Sequence, residues 1–226
     1  MGKGKNKYEK MYGRRIGVLG GTFDPVHNGH LAIAGHVLKL LHLDSILFIP
    51  AARPPHKGHL HLTPFSHRLA MLRCAVKEEP RYFVSAMEEQ REGPSYSVDT
   101  LQDLRESLDP DVRLFFIIGM DAFVEIDTWK DYHLIPGLAD LVVIDRPDYP
   151  LGLAGSTVDK LGEYNFDSAD SAWVASDHSG MIFGVGMSPV DVSSTMVRER
   201  LGASLEVTNY LPEAVAEYII REGLFV

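Results

Sequence analysis

The sequence predicts an α/β fold: a Rossmann-like parallel sheet of about five strands with helices on both faces and a helical C-terminal part. Three observations carry this expectation. Short apolar runs alternate with longer segments of helical periodicity from Ile16 to Ile144, the order that builds a parallel sheet. Gly20, Pro50 and Gly119 each follow an apolar run, where ligand-binding turns sit in such sheets. The 226 residues, 45% apolar and 23% charged, suffice for one core in one domain.

The elements follow in order. Residues 1–13 read as a flexible basic tail, and 14–226 as a single domain. The tail has no apolar segment of the kind a secretory signal needs. Its Gly-Lys-Gly-Lys follows no strand and is no phosphate loop. Ile16 to Leu19 is the first strand. Leu31, Ala34, Leu38 and Leu41 then fall on one helical face. Ile46 to Ile49 is a second strand, stopped by Pro50, and a loop runs from Ala51 to His61. Pro64 opens a helix with Phe65, Leu69, Leu72 and Val76 inward. Cys74, the only cysteine, falls in this pattern and reads as a small core residue; no internal disulfide can form.

Tyr82 to Val84 is a third strand. Ser97 to Leu108 is a helix with Val98, Leu101, Leu104 and Leu108 inward. Val112 to Ile118 and Leu141 to Ile144 are the fourth and fifth strands. From about 147 to 186, scattered glycines break the pattern, which reads as an insertion-like loop. Ser193 is a candidate N-cap for the next helix. The last helix runs from Pro212 to about Arg221 and ends at Gly223. No apolar run approaches the ~20 residues of a membrane span, and the net charge of −9 argues against a general nucleic-acid binder. The expectation is a cytoplasmic protein with no membrane or nucleic-acid partner; assembly into a homo-oligomer stays open.

Candidate chemistry starts at Gly20-Gly21-Thr22-Phe23-Asp24-Pro25-Val26-His27-Asn28-Gly29-His30. This is a strand-to-helix turn. Paired glycines let backbone approach a ligand, and the helix start offers unpaired N–H groups and a positive dipole end. His27 and His30 are three apart and can project to one side. Together these groups suit the phosphates of a nucleotide, although a glycine pair or two surface histidines would mean little alone. Ser193-Ser194-Thr195-x-x-Arg198 sets hydroxyls at a helix start and a guanidinium one turn in. By itself it fits a capped helix with a surface Arg equally well. His59, His61 and His67 match no zinc spacing, so no protein metal site is expected.

The pattern GGTFDPxHxGH is neither a Walker loop nor GxGxxG. It resembles the HxGH nucleotidyltransferase superfamily and, within it, the bacterial nicotinate-nucleotide adenylyltransferases. Val192 to Arg198 resembles the family's ISSTxxR, with Val192 in place of Ile. Gly93 to Leu101 resembles its SYTxDTL segment, with Ser97 where Thr is usual; the hydroxyl survives and the methyl does not. Gly119-Met120-Asp121 resembles its GxD turn. The likeness spans about Arg15 to Phe225, with 147–186 as the departure.

The resemblance implies adenylyl transfer from ATP to nicotinate mononucleotide, with Mg²⁺ accompanying ATP. It assigns Gly20, Gly21, Thr22, Phe23, Gly119, Asp121, Ser193, Ser194 and Thr195 to ATP, and makes His27, His30 and Arg198 both ATP-binding and catalytic. Lys57, Tyr96, Ser97 and Trp129 fall to the mononucleotide, Trp129 by stacking on the pyridine ring. Two rivals remain at this level. Pantetheine-phosphate adenylyltransferases share HxGH but lack the GxD…Trp and SSTxxR arrangement. A regulatory module could keep the fold without turnover; intact His27, His30 and Arg198 argue weakly against it.

Overall fold

The structure is a computed structural model that describes residues 12–55, 62–145, 154–168, 172–177, 180–188 and 190–225. Most of the expected basic tail lies outside these residues, as do Lys57, His59 and His61.

The five expected strands are present as β1 (Arg15–Gly21), β2 (Ser45–Pro50), β3 (Tyr82–Val84), β4 (Arg113–Gly119) and β5 (Asp140–Ile144). All pair in parallel, in the order β3-β2-β1-β4-β5. Between them run α1 (Asn28–Leu40), α2 (Phe65–Val76) and α3 (Ser97–Ser107), then the short α4 (Met120–Val124) and α5 (Ile135–Leu138). The alternation of side chains along each strand separates two cores. On one face Val18, Leu114, Phe116 and Leu141 pack against Val98, Leu101 and Leu104 of α3. On the other, Leu19, Phe115, Ile117 and Val142 pack against Val37 and Leu38 of α1 and Met71 and Leu72 of α2. Cys74 is partly buried against this second core.

The sheet corrects the expectation of about five strands, because among the described residues it has eight. The stretch 147–186, expected as a loop, holds α6 (Ala154–Leu161), β6 (Tyr164–Asp167), β7 (Ala172–Ala175) and β8 (Met181–Val185). Strand β8 pairs in parallel with β5, and β7 and β6 then continue the sheet antiparallel. Two physical reasons hid these strands. Strand β6 is an edge with three of its four residues exposed, so it lacks the apolar run of a central strand. Gly180 reads as a loop signal but marks a close approach: a Cβ there would lie 2.4 Å from the Pro136 carbonyl oxygen.

The C-terminal part is helical as expected. Helix α7 (Ser194–Gly202) is capped by Ser193, whose Oγ accepts from the Met196 N–H at 3.1 Å. Helix α8 (Glu213–Glu222) stops at Gly223, whose φ of 61° suits a glycine C-cap. Among the described residues no helix is long and apolar enough to cross a membrane. The strand order reverses direction between β1 and β4, so a crevice opens beyond their carboxyl ends. The turns after those two strands carry Thr22 to Val26 and Met120-Asp121.

Candidate active site

The turn after β1 is built around its glycines and Phe23. Gly20 is exposed; a Cβ there would meet only Phe116, at 3.9 Å, so the backbone stands open to the crevice. Phe23 is 1% exposed and holds a left-handed φ of 51°. Its ring lies 3.2–3.4 Å from where a Cβ of Gly21 would be, so the turn folds over its own aromatic anchor. The chain then enters α1 with His27 as N-cap.

The two imidazoles stack, with ring centroids 3.7 Å apart and planes at 28°. His27 is 7% exposed. Its backbone N–H donates to His30 Nδ1 at 3.2 Å, so a neutral His30 carries its ring proton on Nε2. Gly29 makes the stack fit. A Cβ at Gly29 would sit 3.0 Å from His27 Nδ1 and 2.9 Å from Val192 Cγ1. The start of α1 is also held from the C-terminal part, by Asn28 N–H donating to Tyr210 O at 2.8 Å.

Helix α7 docks its N-terminus on the same turn. Arg198 donates from Nη1 to Asp24 O at 2.7 Å and from Nη2 to Thr195 Oγ1 at 3.2 Å. Ser194 Oγ donates to Pro25 O at 2.9 Å. His27, His30, Thr195 and Arg198 therefore converge although Arg198 is 171 residues from His27 in sequence. The hydroxyls are not equivalent: Ser193 caps the helix, Ser194 tethers it to the turn, and Thr195 accepts from the guanidinium.

Beneath the turn lies a buried polar network that sequence reasoning missed. Arg68, on α2, is 1% exposed. Its guanidinium donates to Thr22 O at 2.7 Å, Ala51 O at 2.8 Å, Thr63 O at 3.0 Å and Ala52 O at 3.4 Å. Burial pushes its pKa down, while the charges of Asp24 and Glu88 act the other way. Glu88, 6% exposed, accepts from Ala52 N–H at 3.3 Å and from Thr100 Oγ1 at 2.5 Å. One network thus joins the ends of β1 and β2 to the first turns of α3. The available signal was an Arg inside the apolar stripe of α2, beside Leu69 and Leu72.

The second half of the crevice holds the remaining expected residues. Tyr96 is the N-cap of α3 and Ser97 its first residue. Trp129 is partly buried, edge-on to Phe116 at 6.4 Å. Lys130 joins these two places: its Nζ lies 2.8 and 3.1 Å from the Asp99 oxygens and 5.1 Å from the Tyr96 ring centre. Gly119 caps α4, and the partly buried Asp121 lies in its first turn, beyond β4. Lys57 lies outside the described residues, so its expected place beside the substrates has no counterpart here.

A cavity of about 370 Å³ opens elsewhere, at the amino end of β4 and β5, lined by Arg105, Arg113 and Asp140. Its cations are already engaged: Arg105 donates to Leu138 O at 2.6 Å and Val112 O at 2.5 Å, and Arg113 pairs with Asp140. The chemistry belongs to the crevice. Among the described residues no group of three or more His, Cys, Asp and Glu is placed to hold a metal.

A mostly parallel sheet with stacked histidines at a helix start beside its switch point defines a nucleotide-handling α/β protein of the HxGH type. The cytidylyltransferase-like family matches residues 18–200. A protein of Geobacter sp. (strain M21), named probable nicotinate-nucleotide adenylyltransferase, is 39% identical over 222 residues, covering 94% of this chain and 98% of its own. A Thermus thermophilus protein of the same name is 40% identical over 211 residues, covering 93% and 99%. Among solved structures, Plasmodium falciparum nicotinic acid mononucleotide adenylyltransferase complexed with NaAD superposes with a TM-score of 0.72. At 18% identity, over 94% of this chain and 97% of that one, it shows a shared fold. The chain belongs to the cytidylyltransferase-like family and, within it, to the nicotinate-nucleotide adenylyltransferases.

Proposed function

We propose that this chain transfers the adenylyl group of ATP to nicotinate mononucleotide, releasing pyrophosphate and forming nicotinate adenine dinucleotide, a step of NAD biosynthesis. The observation that carries the site assignment is the convergence of stacked His27 and His30 with Arg198 on one turn. The names of the relatives supply the acceptor.

A 5′-phosphate oxygen of the mononucleotide attacks the α-phosphorus of ATP in line. The bond from that phosphorus to the bridging oxygen breaks, and its electron pair leaves with pyrophosphate. No protein nucleophile is required, so the chain contributes position and charge. Gly20 and Gly21 admit the phosphates to the backbone. His30, with its proton on Nε2, donates to an α-phosphate oxygen, and His27 does so beside it. Arg198 and Thr195 take the outer phosphates at the start of α7. Ser193 and Ser194 hold that helix in place. Thr22 and Phe23 shape the turn, and Gly119 and Asp121 meet the nucleoside. Mg²⁺ accompanying ATP would supply charge that offsets the triphosphate.

On the acceptor side, Trp129 stacks on the pyridine ring while Tyr96 and Ser97 open α3 toward it. Lys57 is assigned to this side by the family resemblance alone. The N–H groups at that helix start, its positive dipole end and the Ser97 hydroxyl favour a carboxylate over a carboxamide, whose NH₂ would face donors. One lost charged hydrogen bond, ~1.5–3 kcal/mol, plus that clash gives roughly a hundredfold preference or more, since ~1.4 kcal/mol is tenfold.

Pyrophosphate release from ATP tests the reading with three acceptors: nicotinate mononucleotide, nicotinamide mononucleotide and phosphopantetheine. The expected kcat/KM for the acid mononucleotide exceeds that for the amide by about a hundredfold. Equal values would overturn the specificity, and release with phosphopantetheine alone would overturn the assignment.

A further inference from the structure

Two exposed ion pairs flank Trp129. On one side Lys130 bonds both oxygens of Asp99 at 2.8 and 3.1 Å. On the other, Lys160 of α6 bonds Asp127 at 2.8 Å. They differ in where the acid sits. Asp127 belongs to the Trp129 segment itself, whereas Asp99 lies in the first turn of α3, the helix whose start carries Tyr96 and Ser97.

That position poses an electrostatic conflict. A helix N-terminus attracts an anion, and an acid in its first turn spends that attraction on itself. An unpaired Asp99 would oppose a second carboxylate arriving at the same turn and would leave a neutral carboxamide untouched. Asp99 is not unpaired here. The Lys130 ammonium lies against both of its oxygens and over the face of Tyr96, at 5.1 Å from the ring centre. Their contact raises the Lys130 pKa, so the cation persists through neutral pH. Paired, the two charges cancel at short range and the helix start keeps its pull on an anion.

We infer that Lys130 is a specificity-determining residue, whose ammonium neutralises Asp99 and so lets the start of α3 accept the carboxylate of an acidic mononucleotide. The inference rests on the proposed acceptor site at α3 and Trp129. It assigns Lys130 a role through Asp99, hence a positioning and charge-balancing role rather than a catalytic one. Trp129 does not depend on Lys130 for its place, because Phe116 packs against the indole and the Lys160–Asp127 pair pins the preceding residues.

The test measures kcat/KM for nicotinate and nicotinamide mononucleotides on the full-length enzyme and on Lys130→Met, Lys130→Arg and the double variant Lys130→Met with Asp99→Asn. Both substrates are read on one preparation, so any loss of folded protein cancels in their ratio. Lys130→Met is expected to lower the acid-to-amide ratio by about tenfold, with the change in the acid value, the scale of one exposed charge at a few ångströms. Lys130→Arg keeps the ratio. The double variant restores most of it, because removing the acid removes the need for its counter-charge. A ratio unchanged in Lys130→Met, with both substrates falling together, would make Lys130 a strut and overturn the inference. So would a double variant no better than Lys130→Met. Failure of the wider reading looks different: the wild-type enzyme would then turn over neither mononucleotide, or both equally.

Discussion

His30 shows how a single side chain acquires a role from its backbone surroundings. Its Nδ1 accepts from the His27 N–H, so the neutral ring must present Nε2–H outward, and it can act as a donor without first binding a proton. His27 stacks against it at 3.7 Å, and two imidazolium rings at that distance would repel. His27→Ala is expected to lower kcat by roughly 10² to 10³, the scale of one lost transition-state donor. Pyrophosphate release at saturating substrates checks it, with circular dichroism to show that the protein folds. Wild-type turnover would remove His27 from the mechanism.

Helix starts carry the rest of the site, and their packing explains a residue with no side chain. The start of α1 touches that of α7 through Gly29, where a Cβ would stand 2.9 Å from Val192 Cγ1 and 3.0 Å from His27 Nδ1. Neither neighbour is free to move far: Val192 precedes the N-cap of α7, and His27 belongs to the histidine stack. Gly29→Ala should therefore shift the imidazole by a few tenths of an ångström. Helix propensity alone would favour Ala, so stability and activity part company. The expected outcome is about a tenfold fall in kcat, given that 1 Å of misplacement costs on the order of 10², with an unfolding midpoint lowered only slightly. Full activity in Gly29→Ala would show that the glycine serves folding alone.

Across the whole molecule, the buried network of Arg68 and Glu88 ties together elements that the sheet leaves separate. Backbone pairing fixes β1 beside β2, but their carboxyl ends must also be held to α2 and α3, which lie on opposite faces. Arg68 does so through the carbonyl oxygens of Thr22, Ala51, Ala52 and Thr63, and Glu88 through Ala52 N–H and Thr100. Arg68→Met keeps much of the volume but strips several buried acceptors of their donor and removes a cation that faces Asp24 and Glu88. The expected loss of stability is about 2–4 kcal/mol, the range for an unsatisfied buried polar network. Urea unfolding reads it directly. A rise in KM for ATP at temperatures where the variant is folded would follow from a loosened turn at Thr22. An unchanged unfolding midpoint would mean that water replaces the guanidinium without cost.

The five central strands, the main helices and the HxGH turn were legible in the sequence because each is a local pattern. Buried parallel strands such as Phe115 to Ile118 are continuously apolar, and caps such as Ser193 and Gly223 follow from backbone geometry a few residues long. The motifs likewise fixed which residues to watch, since His27, Gly29 and His30 act within one helical turn. What tertiary structure decided is whatever depends on residues far apart in the chain. Strands β6 to β8 exist as strands only because β5 offers β8 an edge, and half-exposed sequence carries little apolar signal of its own. Arg68 falls inside the apolar stripe of α2, but only the fold brings four carbonyl groups from two strand ends and a loop around it. The tether from Ser194 to Pro25, and the pairing of Lys130 with Asp99, arise from contacts across 169 and 31 residues of chain. No local periodicity encodes such contacts, because their energy is gained only when separately formed elements meet.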